Sequence, residues 1–254
     1  MEGTMTNDVV HAGGGTRIEI AAGATSERMI GTLDGSPLAL DMVRLDATTT
    51  ATIVAADDED LLLFVVEGEG VVRADEGVDA VGHGTSLMVA ASERVALEAG
   101  AAGLVVARFA VAHTADVHAP LGDRVRTSQL DLSDPASATG SRSFQVLLGP
   151  ENGCCRATLF VGVVPPGAAP WHFHQYDEIV LLLSGRARYH QADGSAQEMG
   201  AGSAVRIRPR DVHINENASD ADMLVLGVFT PAGSPSAAYL TDDAGLPPHP
   251  SAAV

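Results

Sequence analysis

Trp171-His172-Phe173-His174-Gln175-Tyr176-Asp177-Glu178, with His213 further along the chain, decides how this sequence is read. The run after Glu178 is Ile179-Val180-Leu181-Leu182-Leu183, an apolar segment that ends at Gly185 and predicts a buried strand. In an extended chain, alternate residues point to one face. His172, His174 and Glu178 share parity and so point into one interior. Imidazoles and a carboxylate on an apolar wall are poor packing material. They are good ligands for a divalent transition metal, and the nitrogen-rich set suits Fe, Mn, Ni, Cu, Co or Zn.

The surrounding sequence carries turn residues at regular places. Gly167…His172-x-His174-x₃-Glu178-x₆-Gly185 resembles the first motif of the cupin superfamily, and Gly202…Pro209-x₃-His213-x₃-Asn217 resembles the second. The spacers from Gly167 to His172 and from Pro209 to His213 are each one residue shorter than the family's. Asp211 stands where family members carry Gly; Asp tolerates turn and left-handed backbone. The resemblance covers about residues 141–232. It implies a small β-barrel with a central metal held by His172, His174, Glu178 and His213.

Outside this stretch the chain is a series of short apolar runs broken by Gly, Asp, Asn and Pro, among them Thr48–Ala55, Leu61–Val66, Leu104–Val111, Ala157–Val164 and Met223–Phe229. This spacing predicts an all-β barrel or sandwich. Leu61–Gly68 parallels Glu178–Gly185, Gly84–Ala91 parallels Gly202–Pro209, and Val105–Val111 parallels Val225–Pro231, at offsets of 117 to 120. Two copies of one domain follow. With the resemblance, the expected fold is two tandem cupin (jelly-roll-like) β-barrels. The expected boundaries are a flexible arm over 1–15, a first domain over 16–119, a linker over 120–140, a metal-binding domain over 141–235 and a tail over 236–254. Laid on the first copy, His172 falls at Ala55, His174 at Asp57 and Glu178 at Leu61 without a gap, and His213 at Val95 or Ala96 depending on a one-residue gap. One possible ligand does not make a site. The first copy is expected to lack metal and to serve as scaffold or as a metal-free binding cup, leaving one divalent transition metal per chain.

Composition narrows the chemistry. The chain has 254 residues, 15 basic against 33 acidic side chains and a net charge of −18. That disfavours nucleic acid and anionic membranes as partners. All 15 basic residues are Arg, which excludes a lysine Schiff base and a P-loop lysine. Cys154 and Cys155 are the two cysteines; adjacent, they read as buried small residues in a reducing cytoplasm. No apolar run is long enough to span a bilayer, and no secretory signal is read at the N-terminus.

Other residues remain open at this level. Trp171 and Phe173 have the opposite parity to the histidines and read as packing. Tyr176 shares their parity and is a candidate at the cavity mouth beside Glu178, the candidate base. Arg206 and Arg208 share one strand face; the favoured placement is outward, with Val205 and Ile207 inward, and the alternative is an inward clamp on a substrate carboxylate. Asn217 reads as a turn residue. The expected function is a metal-dependent enzyme acting on a small organic molecule. The three-His, one-Glu set resembles that of quercetinase-type dioxygenases. A redox-neutral isomerase, hydrolase or lyase is the second reading, and a non-catalytic binding cupin the third. A homodimer is expected from exposed strand edges.

Overall fold

The computed structural model describes residues 8–32, 35–138, 141–241 and 245–250. The first half contains β1 (Thr16–Ala21), β2 (Ala24–Ile30), β3 (Leu38–Leu45), β4 (Thr50–Val54), β5 (Glu59–Ala74), β6 (Gly77–Gly82), β7 (Thr85–Val89), β8 (Arg94–Ala112) and β9 (Thr127–Gln129). The second contains β10 (Ala136–Ser137), β11 (Ser143–Leu148), β12 (Thr158–Val164), β13 (Gly167–Ala168), β14 (His172–His174), β15 (Asp177–Ser184), β16 (Arg186–Gln191), β17 (Ala196–Gly200), β18 (Ala204–Ile207), β19 (His213–Asn217), β20 (Met223–Thr230) and β21 (Ala238–Leu240). The fold is all-β: two tandem jelly-roll-like units, each a pair of facing layers whose strand order is open-ended among the described residues.

In the first half β5 and β8 are long enough to run through both layers, so one nine-stranded sheet, ordered β1-β2-β3-β8-β5-β7-β9 with β4 added on β8 and β6 on β5, wraps the interior. In the second half the matching strands are broken. Gly185 separates β15 from β16, the segment 218–222 separates β19 from β20, and two six-stranded sheets result. The repeat read from sequence is visible in the pairing. Leu61 sits between Val89 and Ala110, and Glu178 between Ile207 and Phe229. Backbone conformation repeats as well: Gly68 and Gly185 have φ of 84° and 92°, Gly84 and Gly202 have 83° and 81°. These are left-handed values that favour Gly and turn the chain at the layer edge.

Ser92 (φ 66°) and Arg210 (φ 68°) are a further matched pair, both without Gly's freedom. The left-handed residue of the turn before His213 is therefore Arg210, whereas the sequence pointed to Asp211. The turn is fixed by Arg210 N–H donating to the His174 carbonyl at 2.7 Å.

Apolar alternation sets three large cores, beside a small cluster of Ala169, Trp171 and Ile214. Leu61, Leu63, Val65, Leu87 and Val95 fill the first interior. Val180, Leu182, Val205, Ile207 and Tyr189 line the second. The opposite faces of the same strands meet between the halves, where Leu40, Met42, Phe64 and Phe109 pack with Leu159, Ile179, Leu181 and Val228. This explains why β15 reads as an unbroken apolar run. One face lines the cavity and the other is buried against the first half. Each such side chain contributes about 1.5–3 kcal/mol.

The expected boundaries do not describe all of the connecting segments. Within the arm proposed over 1–15, Val10 exchanges two backbone hydrogen bonds of 2.8 Å with Ala204, and Val9 N–H donates to Gln197 Oε1; residues 1–7 lie outside the described residues. The expected linker over 120–140 contributes β9, paired with β7, and β10, paired with β11; residues 139–140 are likewise not described. Of the expected tail, β21 pairs with β14, and Pro247 accepts a hydrogen bond from Trp171 Nε1. At Val10, β9, β10 and β21 the connecting chain satisfies backbone groups on a strand edge. Both cysteines are free. Cys154 is buried in the shared core, where desolvation raises its thiol pKa to about 12, and Cys155 is half-buried.

Candidate metal centre

His172 and His213 face each other across β14 and β19 as a register pair, with ring centroids 4.4 Å apart. His174, two residues along β14, places its ring 5.3 Å from that of His213. Glu178 enters from β15, and its Oε2 lies 3.0 Å from His174 Nε2. All four are buried. The structure thus brings together His172, His174, Glu178 and His213.

The backbone selects the tautomer of every ring. His172 Nδ1 lies 2.9 Å from the Pro170 carbonyl, His174 Nδ1 2.8 Å from that of Tyr176, and His213 Nδ1 2.9 Å from that of Asp211. A carbonyl only accepts, so each Nδ1 carries the hydrogen, and each neutral ring offers its Nε2 lone pair. Fixing one ring nitrogen by a backbone carbonyl is how metal-binding histidines are usually oriented. His174 Nε2 is buried with no hydrogen-bond partner; its 3.0 Å contact with Glu178 lies off hydrogen-bond geometry. Two donors about 2.1 Å from one ion at right angles are themselves about 3.0 Å apart, which fits this contact. Among the described residues no three His, Cys, Asp or Glu side chains are already closed around one point. Coordination by all four therefore requires side-chain adjustment.

The electrostatics call for a cation. Burial foremost, with Arg142 and His174 adding, lowers the His172 pKa to about 4. Burial and the neighbouring rings push His213 well below its ordinary value. Both are neutral near pH 7 and able to ligate. His174 goes the other way: burial lowers its pKa, but Glu178 outweighs burial and raises it. A positive charge, proton or metal ion, is thus favoured between His174 and Glu178.

The four residues open on a cavity of about 100 Å³. Phe144, Phe160, Val180 and Leu240 supply much of its apolar lining. Tyr176 is stacked between His174 and Phe229, with centroids 4.1 Å away on each side, and its ring lines the cavity. Burial raises its phenol pKa, so it stays a hydrogen-bond donor. Gly227 makes room for this wall: a Cβ there would come within 2.3 Å of the Phe160 ring and 3.1 Å of Glu178 Oε1.

Arg206 is held away from the cavity. Its Nε and Nη2 donate to the two carboxylate oxygens of Asp177 at 3.0 and 2.7 Å, while Val205 and Ile207 face inward. Arg208 shares its parity and does not line the cavity. Trp171 is buried with Ala169 and Ile214 on the far side of β14, and Phe173 stacks on Tyr239. Asn217 is a turn residue: its side-chain N–H groups donate to the Val164 and Ala221 carbonyls, and its oxygen accepts from Ser219 N–H.

The first half shows the same strand frame without the chemistry. The cross-strand partner of Val95 is Ile53, as that of His213 is His172. By register the counterparts of His172 and His174 are Ile53 and Ala55, two residues before the gapless alignment. The connection from β4 to β5 spans 55–58, against 175–176 from β14 to β15, and this longer turn causes the slip. Ile53, Ala55, Leu61 and Val95 all belong to the apolar interior; Asp57 is exposed and accepts from Ser92.

Sequence reading missed Arg142 and Asn215, which also line the cavity. Asn215 carried a signal, since it has the parity of His213. Arg142 carried none, because only the tertiary fold brings it to the site.

Residues 160–229 match the family model of the cupin domain. That segment is a cupin domain. No curated protein matches the chain. Among solved structures, a variant of Bacillus subtilis oxalate decarboxylase superposes with a TM-score of 0.74 at 16% identity, over 94% of this chain and 80% of that one. A structure from a study of the Mn(II) centres of the same enzyme gives 0.73 at the same identity and coverage. At this identity the likeness is one of fold, and it extends over both halves of the chain.

Proposed function

We propose that the protein is a metal-dependent cupin enzyme acting on a small organic molecule, with one divalent transition metal per chain held by His172, His174, Glu178 and His213. The carrying observation is the set of three Nδ1–carbonyl contacts, which leaves three Nε2 lone pairs and one carboxylate in a buried pocket. Acceptors converging without a donor are costly unless a cation joins them. The Mn(II) centres of the B. subtilis fold neighbour are in keeping with this reading.

A bound divalent ion would supply Lewis acidity and, if redox-active, a route for electrons to dioxygen. The protein's own residues then divide the work. The apolar lining excludes water. Glu178 takes a proton from the substrate, and Tyr176, kept protonated by burial, donates a hydrogen bond to it. The three-His, one-Glu set favours dioxygenase chemistry of the quercetinase type. A redox-neutral reaction is the second reading, supported by fold neighbours that are decarboxylases. A homodimer is part of the proposal: Ile18 (59% exposed) and Ile20 (39%) lie on the edge strand β1, open to a partner. A cytoplasmic setting fits the free cysteines, and no helix among the described residues is long and apolar enough to cross a membrane.

Glu178→Gln tests the assignment by keeping the shape and removing the base. Turnover should fall by about two to four orders of magnitude, with metal content kept within a few-fold. Undiminished turnover would contradict the role of Glu178 as base. Comparing the wild type in air and under nitrogen separates the two reactions: loss of turnover without oxygen supports the dioxygenase, and equal turnover the redox-neutral enzyme.

A further inference from the structure

Several partly buried arginines of this chain have carboxylate partners: Arg108 with Asp41, Arg126 with Asp79 and Arg206 with Asp177. Arg142 does not follow this pattern. It lies just before β11, is half-buried, and lines the same cavity as His172, His174, Glu178 and His213. Among the described residues its guanidinium has neither an ion pair nor a hydrogen bond. Desolvation pulls its pKa down, and the charge felt against that is Glu178. Glu178 Oε2 lies 3.0 Å from His174 Nε2, and among the described residues no ion pair joins Glu178 to Arg142. A desolvated guanidinium without a partner is unfavourable, and a ligand anion relieves it.

We propose that Arg142 anchors the carboxylate of the substrate, so that the site takes small monocarboxylic acids with an apolar body. This inference rests on the metal-centre reading above. The guanidinium fork matches a carboxylate bidentately. The apolar body follows from Phe144, Phe160, Val163, Val225 and Leu240, which line the cavity, and its small size from the volume of about 100 Å³. Arg142 is a binding residue here. It holds one end of the molecule while the other end meets the histidine cluster.

Isothermal titration of the full-length, metal-loaded protein with hexanoate and phenylacetate, each beside its primary amide, tests this. The acids should bind at least tenfold more tightly than their amides. Arg142→Gln should weaken acid binding about 10- to 100-fold and erase the preference, with metal content unchanged. Arg142→Lys should recover part of it, having the charge without the fork. Acids and amides binding alike, no acid binding at millimolar concentration, full acid affinity in Arg142→Gln, or acid binding lost only in step with metal would each overturn the proposal. The titration is repeated on chelated protein, with metal measured separately. A wild-type chain that carries no metal overturns the metal centre. An acid-over-amide preference that still depends on Arg142 in chelated protein supports the anchor whatever becomes of the metal.

Discussion

The two halves of this protein share a strand frame and have opposite interiors. Leu61 and Glu178 occupy equivalent register positions, yet one is packed among aliphatic side chains and the other faces three imidazoles. Ile53 pairs with Val95 where His172 pairs with His213. The frame therefore does not need the three histidines and the glutamate. It is built from the outward faces of the same strands, which meet in the core shared between the halves. The cluster of His172, His174, Glu178 and His213 is a different set of inward side chains on that frame, present in one copy only.

The largest effect should come from separating the copies. A fragment of residues 141–254 would expose Leu147, Leu159, Val161, Ile179, Leu181, Leu226 and Val228, all buried in the shared core. At about 1.5–3 kcal/mol each, this is as large as the stability of a typical domain or larger. The fragment should be aggregated or unfolded by circular dichroism and light scattering. A soluble, monomeric fragment as stable as the whole chain would show that the first half is no scaffold.

Exchanging the equivalent residues sharpens the comparison. Leu61→Glu places a carboxylate in an interior without partners and should destabilise by about 3–5 kcal/mol. In chelated protein Glu178→Leu should cost less than that, because His174 gives up its proton when its carboxylate partner goes and is left as a neutral buried ring. Urea melts of both variants give the answer. Equal losses would mean that the two interiors are under the same structural constraint.

Of the two interiors, only the second should show a pH effect, of about 3 kcal/mol. In metal-free protein His172, with a pKa of about 4, and His213, well below its ordinary value, stay neutral where the unfolded chain takes up protons. The unfolded state then binds more protons, so stability from these two groups is full above about pH 6.5 and is lost as pH falls toward 4. The His172 part is about 3 kcal/mol. His174, raised by Glu178, contributes in the opposite sense: its share is present below about pH 6.5 and is lost as pH rises through its folded value. Ile53, Ala55, Leu61 and Val95 do not titrate. Urea melts of chelated protein at pH 7 and 4.5 should differ, and the His172→Val change should remove much of the difference. No difference in the wild type would mean that these rings are not buried as neutral groups.

Much of this was legible in sequence because parity and spacing are local. His172, His174 and Glu178 announce a shared face, and the repeat announces two copies. Arg206 reads as outward because unpaired buried arginines are rare, and it pairs with Asp177. What was not legible depends on geometry that a sequence does not carry. The two-residue difference between the turns 55–58 and 175–176 displaced the alignment of the first copy. The left-handed residue moved from Asp211 to Arg210 because hydrogen bonding to His174, and not residue preference, fixes that turn. Arg142 reaches the cavity through tertiary folding alone. The shared core could not be told from an ordinary buried strand, since both read as continuous apolar runs.

The central claim is one metal in one copy. Elemental analysis of full-length protein purified without chelator, alongside a His172→Ala/His174→Ala variant, tests it most directly. The account predicts about one transition-metal ion per wild-type chain and almost none in the variant. Two ions per chain, none in the wild type, or full retention in the variant would contradict it.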